Sequence, residues 1–218
     1  MATHDIHYPN ETDEYRIKRN ALLDAEMELR AKIEAVAELR RGLPLGGLVE
    51  DYVFDGVDGP VRLSELFDGG KQSLILYGYM YGPDDEAPCP MCTSFLDGAN
   101  AYYPHVSQRV NFAIVARSPI ERLRVVAEER GWNRLPLLSS ANNDYASDYV
   151  TETPDGNQLP KCHVFVKRKD GVHHFWASEM LFAPSEQHSR HIDMLWPIWH
   201  YFDLTPEGRE NWMPALDY

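Results

Sequence analysis

Apolar residues recur at helical spacing near the start of the chain and at strand spacing over much of the rest. Leu22, Leu29 and Val36 fall seven residues apart, and Ala25, Ile33 and Leu39 fill the turns between them. Glu26, Glu28, Arg30, Lys32, Glu34 and Glu38 lie between, a solvated face of alternating sign. This predicts a helix over about 12–41. Gly42 stops it and Pro44 keeps it from resuming. Such a stripe has to pack on something, and a second copy of the chain is favoured over the parent domain. Residues 1–10 read as a loose tail.

Val49–Val57 reads as a strand entering a turn at Asp58-Gly59-Pro60. Val61 onward gives a short strand and a helical turn with Ser64 as N-cap. Ser73–Tyr79 is almost continuously apolar, as in a central strand buried on both faces. A helix is expected over about Pro90–Tyr103, then a strand over Val110–Ala116. Ser118 as N-cap and Pro119 at the first helical position open the next helix, which Gly131 ends. A brief strand at Pro136–Ser139 is followed by a polar loop to Gln158 with one helical turn. Cys162–Arg168 and Val172–Ser178 form a hairpin about an Asp170-Gly171 turn. A final aromatic-rich helix is expected over about Ser185–Tyr201, with Trp196 and Trp199 as core or interface anchors. Parallel strands with helical crossovers need cover on both faces. The fold class is therefore α/β, in three α/β/α layers. The chain divides into an N-terminal arm, 1–44, and a domain, 45–218.

The net charge of -13 argues against a nucleic-acid or anionic-membrane partner, because those need a basic footprint. No apolar run approaches the ~18 residues needed to span a bilayer. Residues Met1–Ile6 lack the basic and apolar regions of a secretory signal. A cytoplasmic protein is expected. Its 3 cysteines do not make a disulfide scaffold, so a Cys-x-x-Cys pair in a reducing compartment reads as redox or metal chemistry.

That pair is Cys89-Pro90-Met91-Cys92, at a strand–loop–helix junction. A free thiol of pKa ~8.5 is mostly protonated at neutral pH, and the unsatisfied N–H groups of a helix N-terminus favour its thiolate. Cys89, at the helix start, is the attacker, and Cys92, one turn in, resolves the mixed disulfide. Asp84, Asp85 and Glu86 pull the other way, since nearby carboxylates raise a thiol pKa. Tyr77, Tyr79 and Tyr81 alternate into the loop as a candidate aromatic wall for substrate. Cys162 reads as a small buried apolar side chain.

Three segments resemble the thioredoxin-like superfamily near its alkyl-hydroperoxide-reductase branch. They are Val61-Arg-Leu-Ser-Glu-Leu-Phe through Cys92, Phe112-Ala-Ile-Val-Ala-Arg-Ser-Pro, and Leu135-Pro-Leu-Leu-Ser-Ser. The chain more closely resembles the bacterial thioredoxin-like family domain-of-unknown-function eight-nine-nine. The segments that carry this are Lys18-Arg-Asn-Ala-Leu-Leu, Asp51-Tyr-Val-Phe-Asp-Gly, Tyr79-Met-Tyr-Gly-Pro-Asp, Cys89-Pro-Met-Cys and Tyr201-Phe-Asp-Leu-Thr-Pro-Glu-Gly-Arg. The resemblance implies a thioredoxin-like fold. It also implies that Pro160, before the Cys162 strand, is cis, faces the cysteines and receives substrate backbone. Peroxidases of the neighbouring branch carry Pro-x-x-x-Thr-x-x-Cys. Glu86 stands where that Thr belongs, which counts against hydroperoxide reduction.

The leading expectation is thus a thiol-disulfide oxidoreductase, with a disulfide-containing protein or small thiol as substrate, a homodimeric state and no cofactor. Two alternatives stand beside it. One is a zinc site or regulatory module built from Cys89, Cys92, His188 and His191, because zinc needs four ligands. The other is a non-catalytic interaction scaffold.

Overall fold

A computed structural model describes residues 4–184 and 190–217. The chain resolves into two compact units, 1–44 and 45–218. The first is built on one helix, α1 (Asp13–Arg41). Thr12 caps it by accepting from the Tyr15 N–H at 3.1 Å. Asp13 and Glu14 in the first turn and Arg40 and Arg41 in the last suit the helix dipole. Before the helix, Glu11 is bonded to Arg16, which lowers its carboxyl to about 2. None of the described residues of α1 is buried, and Leu22, Leu29, Ile33 and Leu39 are exposed.

The second unit is a seven-stranded sheet in the order β2-β1-β5-β4-β3-β6-β7. Strands β1 (Val53–Gly56) and β2 (Gly59–Arg62) make a hairpin at one edge. Its two turn residues are Val57 and Asp58, because Gly56 pairs with Gly59. Strands β3 (Ser73–Gly78), β4 (Asn111–Ala116) and β5 (Leu137–Ser139) run parallel at the centre. Strands β6 (Cys162–Arg168) and β7 (Gly171–Ala177) form the other edge, β6 antiparallel to β3. Their turn residues are Lys169 and Asp170, and Gly171, at φ +137°, pairs with Arg168. Every residue of β4 is buried, as its apolar run Phe112–Ala116 requires, and Asn111 at its start donates to the Ser73 carbonyl at 3.1 Å.

The three layers are unequal. Helices α2 (Pro90–Val106) and α3 (Ile120–Arg130) both cover one face, with Phe95, Leu96 and Leu123 packed on Tyr77, Phe112 and Ile114. Both helices are crossovers between successive parallel strands, so the right-handed rule places them together. The other face is covered by the short α4 (Tyr145–Asp148), a 3-10 turn at Leu63–Leu66 and the segment Val49–Tyr52. There Tyr52, Phe54, Tyr145 and Phe165 pack with Leu74, Leu76 and Val115.

Three local expectations are corrected. Ser64 does not cap the 3-10 turn; its N–H and hydroxyl both donate to Asp51, at 2.8 and 2.9 Å, and Arg62 occupies the cap position. Ser118 does not cap α3; its hydroxyl donates to the Gly82 carbonyl at 2.9 Å, and Pro119 is the cap. The closing helix is much shorter than expected, because Pro197 has no N–H to continue a ladder. The chain instead turns through residues 191–195, and α5 covers only Ile198–Asp203. Residues 185–189, where that helix was expected to start, lie outside the described residues. Among the described residues no helix is long and apolar enough to cross a membrane.

Candidate active site

Strand β3 delivers the chain to the site. Past Gly78 it loops out, and the loop closes where the Cys89 N–H donates to the Met80 carbonyl at 3.0 Å. Gly78 is a true requirement there. A Cβ would meet the Lys161 and Leu159 carbonyls at 3.2 and 3.3 Å. The acidic tip is tied down. Asp85 accepts from the Gly82 N–H at 2.6 Å, and Arg122 donates to the Pro83 and Asp85 carbonyls while lying 4.4 Å above the Tyr81 ring.

Cys89 is the N-cap residue of α2, with Pro90 at the first helical position and no acidic residue in the first turn. It is partly exposed; Cys92 is buried, and both are free thiols. The Cys92 thiol hydrogen-bonds to the Cys89 sulfur, and the Met91 and Cys92 N–H groups also face it. Against the opposing effect of burial, these lower Cys89 from its ordinary 9.0 to about 6. The expected influence of Asp84, Asp85 and Glu86 is absent, since none of them acts on Cys89. Cys92 moves the other way, held well above the ordinary range by its bond to Cys89 and by burial.

Behind Cys92 stands Tyr77, fully buried on β3. Its hydroxyl donates to the Cys92 sulfur at 3.2 Å. The result is a line of donors, Tyr77 O–H to Cys92 S–H to Cys89 thiolate. Its one signal in the sequence was a hydroxyl inside an otherwise apolar strand, where a buried Tyr needs a partner.

A cavity of about 520 Å³ opens beside the cysteines. Its walls come from Tyr77 and Met80, from Cys89, Met91 and Cys92, and from Gln158–Pro160. Leu181 and Phe182 of a 3-10 turn at Met180–Phe182 and the segment Arg190–Trp199 complete it. That last segment is pinned to α2: the Tyr102 hydroxyl donates to the Leu195 carbonyl at 3.1 Å, and the Trp196 and Phe95 rings meet edge to face at 6.5 Å. Trp196 and Trp199, expected as anchors, are also cavity wall. A broader cleft of about 900 Å³ lies between the β1–β2 hairpin and α3 and contains no cysteine.

Among the residues expected at the site, Cys89, Cys92, Pro160 and His191 come together on this cavity. Tyr79 and Tyr81 do not. Both are buried under the loop, Tyr79 bonded to the Thr93 hydroxyl at 2.8 Å and packed against Trp132. The chain leaves the sheet after Gly78, so strand alternation no longer aims them at the opening. The Leu159–Pro160 bond is trans, which corrects the expected cis bond. Cys162 is buried beside Tyr77 in the register, its thiol raised to about 12 by burial. His191 donates from Nε2 to the Pro160 carbonyl at 2.7 Å. Among the described residues no group of three or more His, Cys, Asp or Glu side chains is placed to hold a metal. His188 lies outside the described residues. Arg117 is engaged by Glu152 and the Ser140 and Ala141 carbonyls.

The profile of the family described as "Bacterial protein of unknown function (DUF899)" matches residues 3–218. The chain belongs to this family. No curated protein matches this DUF899 chain. Among solved structures it is similar to the peroxidoxin BcpB of Mycobacterium tuberculosis. The two share 23% identity over 70% of this chain and 94% of that one, with a TM-score of 0.47. A peroxiredoxin Q variant of Xanthomonas campestris shares 17% identity over 62% of this chain and 85% of its own, TM-score 0.46. An uncharacterized conserved protein of Geobacillus kaustophilus shares 18% identity over 70% and 82%, TM-score 0.44. The strand order of the DUF899 chain, with a Cys-x-x-Cys at the helix after its central strand, is that of a thioredoxin-like fold.

Proposed function

We propose that this protein is a thiol-disulfide oxidoreductase of the cytoplasm, acting through Cys89 and Cys92. One observation carries the reading: a partly exposed Cys89 lowered to about 6 sits beside a buried Cys92 kept protonated. The Cys89 thiolate attacks one sulfur of a substrate disulfide. A Cys89–substrate bond forms, the substrate S–S bond breaks, and one substrate thiolate leaves. Cys92 then gives up its proton and attacks the Cys89 sulfur, which forms the internal disulfide and expels the second substrate thiol. The substrate gains two electrons and the protein loses them. A second dithiol restores the reduced pair. The Tyr77 hydroxyl, aimed at the Cys92 sulfur, stabilises the thiolate as it forms.

The test is the pH dependence of Cys89 alkylation by iodoacetamide in the reduced protein. The rate is expected to rise with a midpoint near pH 6, where the thiolate forms, and to level off by neutrality. A midpoint near the ordinary 9.0 overturns the reading.

The exposed stripe of α1 we assign to a homodimer contact, since Leu22, Leu29 and Ile33 recur on one side of the helix and are exposed. Sedimentation velocity of the full chain is expected to give a dimer, and the double substitution Leu29→Glu and Ile33→Glu a monomer.

A further inference from the structure

The cavity beside Cys89 bears on which disulfides can reach it. A protein substrate bound in extended form pairs its backbone with exposed N–H and C=O groups next to the dithiol. Here those groups are already engaged. The Leu159 N–H donates to the Thr151 carbonyl at 2.7 Å, and the Lys161 N–H to the Leu159 carbonyl at 2.9 Å. Pro160 has no N–H, and its carbonyl accepts from His191 at 2.7 Å. The Lys161 carbonyl accepts from the Gly78 N–H at 2.7 Å. No N–H remains at residues 159–161 to receive a substrate strand. Substrate carbonyls therefore find no backbone donor at residues 159–161, which counts against a substrate strand pairing there.

What the cavity offers instead is apolar surface. Met80, Met91, Phe182, Trp196 and Trp199 line it, and thioethers and aromatic rings suit a sulfur-containing apolar ligand. Among the described wall residues the one strongly charged side chain, Arg190, is bonded to Asp193 and Asp203. A charged ligand thus meets a guanidinium that already has two carboxylate partners. At about 520 Å³ the space falls within the ~300–1,000 Å³ range of small-molecule sites.

We propose that the cavity selects a small apolar disulfide, with aromatic or aliphatic groups on its sulfurs, and discriminates against protein disulfides and small charged ones. This rests on the thiol-disulfide reading above. It adds the substrate class. The exchange balances as before: one apolar disulfide enters, two apolar thiols leave, and Cys89 and Cys92 end joined.

The experiment has two arms. In the first, the reduced protein is mixed with dibenzyl disulfide, oxidised glutathione or insulin, and the loss of free protein thiol is timed. Each rate is divided by that of dithiothreitol with the same disulfide. The normalised rate is expected to be greatest for dibenzyl disulfide. Phe182 is exposed at the rim, so Phe182→Asp leaves the fold intact. That change is expected to lower the dibenzyl rate roughly tenfold and to lower the ratio of the dibenzyl rate to the glutathione rate.

The second arm needs no redox step. Dibenzyl sulfide, which cannot exchange, is titrated into Cys89→Ser while tryptophan fluorescence is read. Saturable quenching, weakened by Phe182→Asp, supports the cavity assignment. Equal normalised rates for all three disulfides, or no saturable binding of the sulfide, overturns it. Saturable binding of the sulfide with no exchange toward any disulfide overturns the thiol-disulfide reading and leaves the apolar site standing.

Discussion

Replacing Cys89 by Ser is expected to abolish disulfide exchange, and replacing Cys92 by Ser to stop it halfway. The asymmetry follows from the two environments. Cys89 is partly exposed, opens onto the cavity and is lowered to about 6, so most of it is thiolate at neutral pH. A serine hydroxyl there has neither the charge nor a sulfur to form the mixed disulfide. The exchange rate is expected to fall on the order of a thousandfold or more, as when a nucleophile is removed from a catalytic unit. Cys92 is buried, with its sulfur bonded to Tyr77 and beside that of Cys89. Its loss leaves the first attack in place, though slower, because the donor that lowers Cys89 most is weakened. The Cys92→Ser protein is expected to accumulate as a one-to-one mixed disulfide, visible as an adduct in intact-mass spectrometry. A Cys89→Ser protein that forms the adduct instead would reverse the assigned roles. Tyr77→Phe keeps the ring and removes the hydroxyl, and slows the second step roughly tenfold, the order of a hydrogen bond to a charged group.

Acid destabilises the fold through His163, on the sheet face away from the cysteines. This side chain is 2% exposed, among Tyr145, Tyr149 and Phe165. Its Nδ1 meets His174 Nε2 at 3.2 Å, and its Nε2 has no hydrogen-bond partner among the described residues. Burial first, then the charge of Lys161 and the His174 ring, lower it from 6.5 to about 3. Between these values the unfolded chain binds the proton and the folded chain does not. Stability is therefore full above about pH 6.5 and falls as the pH drops below it. One such group contributes a slope of up to about 1.4 kcal/mol per pH unit. Urea midpoints at descending pH are expected to fall less steeply for His163→Phe, whose ring needs no proton, than for the unsubstituted protein. Parallel curves for the two would show that His163 is not the group responsible.

Much of this was legible from the sequence. Unbroken apolar runs mark β3 and β4 because both their faces are buried. The helix after Cys89 follows from a Pro at its first turn, and the N-terminal helix from its seven-residue repeat. Some misreadings arose where a contact distant in sequence overruled local pattern, others where a pattern was carried past the end of its element. Ser118 is a good cap residue, but the Gly82 carbonyl, 36 residues away, takes its hydroxyl. Trp196 and Trp199 suit one amphipathic helix, but Pro197 lies between them, so turns precede Trp196 and only Trp199 falls in the short α5. Tyr79 and Tyr81 were read by strand alternation past the end of the strand. Tyr77 was legible as aromatic wall but not as a donor, because nothing local shows that its hydroxyl reaches Cys92.

Three cysteines can pair in three ways, and the fold leaves one of them kinetically open. Cys162 lies opposite Tyr77 across two hydrogen-bonded strands, with its thiol at about 12. Unlike Cys92 it is not among the residues lining the cavity, so in the proposed cycle it is not placed to attack the mixed disulfide or to compete for Cys89. Repeated turnover can therefore proceed without scrambling. The fidelity of the cycle is written in the burial of the thiol that takes no part in it.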